Sequence, residues 1–472
     1  MTGRLGYLTG KILLFEGFLL FFCALFDLFS DNSESISFII SGVITIIFAL
    51  SLSIVSGNTS KREYDFLLVG DVYKFIVTIW VAIIFFASIP FVVSKNLSMN
   101  FIDAIFESTS SLTTTGLSVI NQSKEIQSAS IIMCHSLFSW FGGLGMILLT
   151  IISIVLIKNT NESDNSLIRF ERKEIGYDLE GCTIKRFVKR FIFLYISSTL
   201  LLFIFLLFSD IDIFEALCLS MSTVSTGGYS PIDSSIMINM SNYFYLVLTF
   251  FMLLLSTPLG MVVISKKKMM NFFTNVNVQV FFILVIVTSL FIYYRFNIKR
   301  DISLLKTFFL TVSLITTTGF DTLRENEVSF VNNISILLTM IGGCIGSTTA
   351  GIKIDRIVDV FNSVGYYLKS TIYPRTVFNK QSIYGKQWNN SIHFAILYIM
   401  TICFAVLVFA LLTGDGNLAM NLALGSITNS GILYEKSFEM LRSSCLIKSF
   451  FSIFMLVGRV EIIAILTFFI KR

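Results

Sequence analysis

Long apolar stretches alternate with short polar ones along almost the whole chain. The apolar runs fall near residues 12–29, 36–56, 73–94, 130–157, 187–209, 241–265, 278–294, 332–352, 391–413 and 446–470. A helix needs roughly 20 residues to cross a bilayer, and runs of this length meet that need. The pattern predicts about ten transmembrane helices. With the N-terminus inside, 24 of the 35 Lys and Arg fall on the inner side and 10 on the outer, with Arg459 inside a span. Such an excess marks the cytoplasmic side. The expectation is a multi-pass protein of the cell (inner, cytoplasmic) membrane with a cytoplasmic N-terminus. No small-residue cleavage pattern follows 12–29, so that run is expected to stay as a helix.

The outer segments hold a second pattern. Four apolar stretches, Met99–Leu112, Ile211–Val224, Ile302–Ile315 and Leu418–Ile427, are too short to cross. Runs of this length read as re-entrant helices. Each leads into small polar residues and glycine: Thr113-Thr114-Thr115-Gly116-Leu117, Ser225-Thr226-Gly227-Gly228-Tyr229, Thr316-Thr317-Thr318-Gly319-Phe320 and Thr428-Asn429-Ser430-Gly431-Ile432. The glycines are 112, 91 and 112 residues apart. One such run is weak evidence, but four on the same side of the membrane form an internal repeat. The fold class expected is an all-α polytopic membrane protein. Four helix–pore-loop–helix repeats would surround a pseudo-fourfold pore, with an N-terminal hairpin added. The divisions are 1–70 for the hairpin, then 71–160, 161–270, 271–365 and 366–472 for repeats 1 to 4.

Composition agrees with a lipid solvent. Hydrophobic residues make up 54% and charged residues 14%, against about 25% charged in a soluble domain. The mean hydropathy is +0.80. The seven cysteines are scattered without a CxxC, and His135 and His393 have no ligand-spaced companions. A transition-metal or catalytic site is not expected, and neither is an enzyme or a nucleic-acid partner. No GxxxxGK[ST] phosphate loop occurs, so any nucleotide dependence would come from another polypeptide. The basic inner linkers near 158–190 and 353–390 suit either lipid headgroups or a cytoplasmic partner.

Non-helical backbone at membrane depth is costly unless it lines a watery path. Carbonyls from four loops around one axis can replace the water shell of a dehydrated cation. Glycine permits the positive φ that turns successive carbonyls the same way. Each short helix would point its negative C-terminal end at the ion. The candidate ion-binding residues are Thr114, Thr115, Gly116, Thr226, Gly227, Gly228, Thr317, Thr318, Gly319, Asn429, Ser430 and Gly431, with the choice between Gly227 and Gly228 open. Asp103, Glu107, Asp212, Glu215, Asp233 and Asp321 lie near the loops and would gather cations at the mouth. Asp103 and Asp212 also suit helix N-caps.

The stretch Gly342-Gly343-Cys344-Ile345-Gly346-Ser347-Thr348-Thr349-Ala350-Gly351-Ile352-Lys353 is too rich in glycine and β-branched residues for a continuous helix. It reads as an intramembrane loop able to block the pore, or as close helix packing. Gly343, Gly346, Gly351 and Lys353 are its candidate gate residues. Arg459, within the last span, is expected to face the pore as a barrier to cations, or to pair with an acid. Trp140-Phe141-Gly142-Gly143-Leu144-Gly145 reads as a packing face.

These residues resemble the Trk/Ktr/HKT superfamily of potassium transporters, most closely its bacterial TrkH-type subunits. The matching pieces are Phe106-Glu107-Ser108 through Gly116, Trp140 through Gly145, Thr317-Thr318-Gly319-Phe320, Gly342 through Lys353, and Leu456-Val457-Gly458-Arg459-Val460-Glu461. The resemblance implies K⁺ uptake through a filter with one glycine per loop, a gate formed by the Gly-rich run and Arg459, and a homodimer. It also implies a cytoplasmic TrkA-like regulatory subunit that would bring a nucleotide, NAD or ATP/ADP, with no cofactor in this chain. Asn429-Ser430-Gly431-Ile432 departs from the Asn-Leu-Gly-Pro usual in TrkH-type members. Ser-Thr-Gly-Gly stands where Ala-Ile-Gly-Gly is usual. Glycine in all four loops favours K⁺, since a first-loop Ser goes with Na⁺ transport in plant relatives. An alternative is an ion-coupled (Na⁺ or H⁺) secondary transporter of K⁺ or Na⁺; inverted repeats would put broken helices in paired halves, whereas here four loops share one side.

Overall fold

The computed structural model describes residues 2–28, 34–57, 69–94, 96–97, 99–120, 128–157, 184–232, 237, 239–258, 274–297, 303–320, 334, 337–373, 380–460 and 462–469. These residues include sixteen α-helices and a further helical turn at 337–341, and, among the described residues, no strand. In chain order the helices are α1 (Thr2–Leu25), α2 (Ser35–Gly57), α3 (Val69–Val93), α4 (Phe101–Leu112), α5 (Ala129–Ile157), α6 (Ile184–Leu206), α7 (Ile213–Val224), α8 (Asn242–Leu255), α9 (Val276–Asn297), α10 (Leu304–Ile315), α11 (Ile354–Ile372), α12 (Lys380–Thr413), α13 (Gly416–Ile427), α14 (Glu435–Ser443), α15 (Cys445–Val460) and α16 (Ile462–Phe469).

Six described helices are long and apolar enough to cross a membrane: Gly6–Leu25, Ser35–Ser56, Tyr73–Val93, Val188–Leu206, Val276–Arg295 and Ser391–Thr413. Counting the α14–α15 pair, bent by 109°, gives seven. The hydropathy pattern predicts ten. Of the predicted span at 241–265, α8 covers Asn242–Leu255, the described residues 256–258 are not helical, and residues 259–265 lie outside the described ones. The span at 332–352 loses its helix at Gly342, where φ is +72°. The Gly and β-branched residues that follow offer a helix little. The crossing helices keep many apolar side chains on their outer faces. Ile47, Val55, Phe193, Val287 and Leu407 are exposed, as suits helices whose solvent is hydrocarbon.

α1 and α2 form a hairpin held through small residues. A Cβ added at Gly10 would lie 2.9 Å from the Ala49 carbonyl oxygen, and one at Gly17 would lie 2.5 Å from Ile46 Cγ1. Small residues allow this approach in a membrane, where close packing rather than expulsion of water holds helices together.

The four expected short helices are α4, α7, α10 and α13, each 12 residues long. The first three start two residues later than expected and the fourth two residues earlier, and all four end where expected. Each packs against a long helix that precedes it, α3, α6, α9 and α12 in turn. Three also touch a helix of a neighbouring unit: α7 meets α5, α10 meets α8, and α4 meets α15 from the far end of the chain. The first short helix thus closes a circle with the last long segment.

Their C-terminal halves are polar and buried. Ser108, Thr109, Ser110 and Ser111 of α4 are at most 2% exposed. Thr109 Oγ1 donates to the Ile105 carbonyl at 2.6 Å, and Ser111 Oγ to that of Glu107 at 2.8 Å. Hydroxyls that bond back to their own helix can be buried without a partner from elsewhere.

Candidate functional site

The segments after the four short helices share one backbone conformation. Thr114, Thr226, Thr317 and Asn429 have φ of +57°, +55°, +53° and +49°. Two residues on, Gly116, Gly228, Gly319 and Gly431 have φ of +75°, +65°, +86° and +64°. The residues between, Thr115, Gly227, Thr318 and Ser430, do not have positive φ. A β-branched residue in the left-handed region is a true outlier, costing about 1–3 kcal/mol. The chain accepts this three times at one position. The backbone N–H of each strained residue still bonds three residues back, to the carbonyls of Ser111, Thr223, Leu314 and Ser426, at 3.1–3.3 Å.

The four segments also touch in a ring. A Cβ on Gly116 would lie 2.1 Å from the Gly227 carbonyl oxygen, and one on Gly228 1.9 Å from that of Thr318. One on Gly319 would lie 2.2 Å from the Ser430 oxygen, and one on Gly431 2.2 Å from that of Thr115. Each glycine leaves room for the middle carbonyl of the next segment, and the fourth returns to the first. Asn429 Nδ2 adds a bond to Thr115 Oγ1 at 3.2 Å across the same seam. In three segments the middle side chain bonds the residue two before it: Thr113 to Thr115 at 2.9 Å, Thr316 to Thr318 at 2.7 Å and Thr428 to Ser430 at 2.9 Å. The second segment has Gly227 in the middle, and Ser225 bonds Ser139 of α5 instead, at 2.8 Å.

The Gly-rich stretch 342–353 is a loop tied at its base. The N–H groups of Ile352 and Ile354 donate to the carbonyls of Met340 (2.9 Å) and Gly343 (3.0 Å). Gly346, Gly351 and Lys353 have φ of +80°, +89° and +75°. Gly343 N–H donates to Thr349 Oγ1 at 3.2 Å. The loop tip touches two of the strained threonines. Ala350 N–H donates to Thr317 Oγ1 at 3.0 Å, and Thr226 Oγ1 donates to the Thr348 carbonyl at 3.1 Å. At the base, Asp355 accepts from Ile345 N–H at 2.6 Å and from Asn277 Nδ2.

Arg459 is 4% exposed. Its Nη1 donates to the Thr348 carbonyl at 3.2 Å and its Nη2 to the Gly142 carbonyl at 3.5 Å. The guanidinium thus binds the loop tip and the packing face of α5 through backbone oxygens. The acid envisaged as its alternative partner does not appear among the described residues; Glu461 lies outside them. Gly142 itself permits close packing, because a Cβ there would lie 1.9 Å from the Leu112 carbonyl oxygen.

The acids divide. Asp212 is exposed and is the N-cap residue of α7, though its side chain makes no capping bond. Asp103 is not a cap, since Asn100 holds the N-cap position of α4; it pairs with Lys448 of α15 at 2.5 Å. Glu107 is fully buried and faces inward, so it is no mouth acid. Asp233 and Asp321 lie outside the described residues. Sequence reasoning does not reach the partners of Asp103 and Glu107. A lysine inside the apolar run 446–470 is the available signal for the first. Among the described residues no three His, Cys, Asp or Glu gather as a metal site.

Comparison with known proteins gives this arrangement a family. The chain is 25% identical to the uncharacterized cation transporter MJ1485 of Methanocaldococcus jannaschii over 99% of this chain and 95% of that protein. It is 26% identical to the Trk system potassium uptake protein TrkG of Escherichia coli K12, over 87% of each chain. It is 26% identical to the Trk system potassium uptake protein TrkH of the same organism, over 71% of this chain and 70% of that one. The crystal structure of the potassium transporter TrkH from Vibrio parahaemolyticus has the same fold, with a TM-score of 0.82 over 99% of this chain and 98% of that one, at 21% identity. Residues 37–472 match the family model described as TrkH, cation transport protein, and the chain belongs to that family of membrane transport proteins.

Proposed function

We propose that the protein carries K⁺ into the cell through a filter made by the four glycine-ended segments. The ring of contacts from Gly116 to Gly227, Gly228 to Thr318, Gly319 to Ser430 and Gly431 to Thr115 carries the reading. Four backbones that approach so closely, each alternating positive and ordinary φ, suit a cage of carbonyls around a bare cation. The relatives named as potassium uptake proteins support K⁺ as the ion. The filter residues are Thr114–Gly116, Thr226–Gly228, Thr317–Gly319 and Asn429–Gly431. The positive φ of Gly228, shared with the other three glycines, favours Gly228 over Gly227 as the second filter glycine.

The loop 342–353 acts as the gate in this reading. Its tip is bonded to filter threonines Thr226 and Thr317, and Arg459 holds the Thr348 carbonyl. A buried cation beside the ion path adds an electrostatic barrier. Opening requires the tip to leave those bonds, and Gly343, Gly346, Gly351 and Lys353 give the backbone its freedom and its turn into α11. The proposal includes the four repeats at 71–160, 161–270, 271–365 and 366–472, residence in the cytoplasmic membrane with the N-terminus inside, a homodimer, and control by a TrkA-like nucleotide-binding subunit. Purified protein in liposomes, opened by the Arg459→Ala substitution, should pass K⁺ and Rb⁺ and discriminate against Na⁺ and Li⁺. Absence of K⁺ and Rb⁺ flux would refute the reading.

A further inference from the structure

Behind the first glycine-ended segment lies a buried acid that the ring itself does not explain. Glu107, on α4, is fully buried, and His135, on α5, is 1% exposed. Glu107 Oε1 accepts from three donors on the limb leaving the first segment: Val119 N–H at 2.6 Å, Ser118 Oγ at 3.1 Å and Ile120 N–H at 3.3 Å. Its Oε2 stands 3.0 Å from His135 Nε2. The His135 ring stacks on Tyr229, with centroids 4.7 Å apart and planes 12° apart. Tyr229 directly follows Gly228. One continuous set of contacts thus runs from the limb of the first segment, through a carboxylate and an imidazole, to the residue after the second glycine.

The repeat supplies an internal comparison. The positions equivalent to Glu107 in the other three short helices are Leu219, Leu310 and Leu422, each at most 3% exposed. The fold therefore accepts a buried leucine here. The limbs explain why the first repeat departs. The position of Val119 is taken in the second repeat by Pro231, which has no N–H to satisfy. In the fourth repeat it is Tyr434, whose N–H donates to Asn421 Oδ1 at 2.9 Å, a neutral acceptor one position earlier on its helix. In the second repeat Ser230 Oγ accepts from Ile232 N–H at 3.1 Å, as Ser118 Oγ does from Ile120 N–H at 3.2 Å in the first, so the added feature of the first limb is the Glu107 oxygen taking Val119 N–H and Ser118 Oγ. The first limb is held by one carboxyl oxygen that takes three donors at once.

We infer that Glu107, through its contacts with Ser118, Val119, Ile120 and His135, is a positioning residue that fixes the geometry of the first filter segment relative to the second and so sets discrimination between K⁺ and Na⁺. It touches no transported ion. The inference rests on the filter reading above. A filter distinguishes the two cations only while its carbonyls hold their spacing, and three donors on one carboxylate oxygen leave the limb little freedom.

The test is the K⁺ to Na⁺ flux ratio of the full-length protein in liposomes. Glu107→Leu copies the other three repeats and removes the acceptor of Val119 N–H and Ser118 Oγ, while Ile120 N–H keeps Ser118 Oγ. Its ratio should fall about tenfold, as expected when a buried donor loses its acceptor, while Rb⁺ flux continues. Glu107→Gln keeps an acceptor oxygen for the limb and should stay within about threefold of the wild type. An unchanged ratio in Glu107→Leu overturns the inference, and so does an equal loss in both variants with an equal fall in thermal stability. If Glu107→Leu does not accumulate in the membrane, His135→Phe decides, since it keeps the stack on Tyr229 and removes Nε2. A lowered ratio supports the inference and a wild-type ratio overturns it. Wild-type protein that passes Na⁺ as freely as K⁺ would refute the filter reading instead.

Discussion

Gly228→Ala tests the ring most directly. The backbone at Gly228 has φ of +65°. A left-handed conformation costs an alanine about 1–2 kcal/mol. The added Cβ would lie 1.9 Å from the Thr318 carbonyl oxygen, where ordinary contact begins at 3.4 Å. The neighbouring carbonyl must recede by about 1.5 Å to admit it. It is a backbone atom, and its residue is anchored by Thr318 N–H to Ser313 O at 3.0 Å and by Thr318 Oγ1 to Thr316 Oγ1 at 2.7 Å. A misplacement of 1 Å at a tuned site costs on the order of a hundredfold, so Rb⁺ uptake into liposomes should fall by about that factor or more. Gly227→Ala is the discriminating partner. Its Cβ would meet Ser139 Oγ, a side-chain atom that can rotate away, and the other three segments already carry a side chain there. The cost is about 1 kcal/mol for breaking the Ser139–Ser225 bond, and flux should stay within about threefold of the wild type. Gly365→Ala in α11, where a Cβ meets nothing within 4 Å, should leave flux unchanged and stabilise the helix by up to about 1 kcal/mol. Full Rb⁺ flux in Gly228→Ala, or greater damage from Gly227→Ala, would refute the reasoning.

Arg459→Ala removes the donors to the Thr348 and Gly142 carbonyls. Hydrogen bonds from a charged donor are worth about 1.5–3 kcal/mol, so flux without any regulatory subunit should rise about ten- to a hundredfold; unchanged flux speaks against a gating role. Thr226→Val deletes one neutral bond to the same carbonyl and should raise the leak only several-fold, by roughly 1 kcal/mol. Lys448→Met leaves the partly buried Asp103 without its cation and should cost about 1–2 kcal/mol, most of it recovered by adding Asp103→Asn; thermal unfolding in detergent compares the two. A protease site at the N-terminus should be cut in inverted vesicles and protected in spheroplasts, and the reverse result would invert the topology.

The short helices are legible in the sequence because their signal is local. An apolar run of fixed length ending in Ser, Thr and Gly sets both the helix and its stop. Repetition supplies the rest, since the four runs share a register that no single one reveals. What stays hidden depends on how the ring closes. Glu107 and His135 are 28 residues apart in sequence, and Asp103 and Lys448 are 345 apart. Both acids read as mouth charges until the packing of α4 against α5 buries Glu107 and that against α15 pairs Asp103 with Lys448. Gly227 and Gly228 cannot be ranked from sequence, because adjacent glycines differ only in the backbone angle each adopts. Arg459 invites a search for an acid, whereas its described partners are carbonyls, which every residue carries.

The seam between α4 and α15 has a consequence for how the protein is made. Asp103 leaves the ribosome 345 residues before Lys448. At about 5–20 residues per second, translation takes roughly 20–70 s to deliver its partner. Through that interval α4 lacks the helix that packs against it from the far end of the chain, and Asp103 lacks its lysine. The α4–α15 contact can therefore form only after α15 has been made, so this seam is sealed late in synthesis.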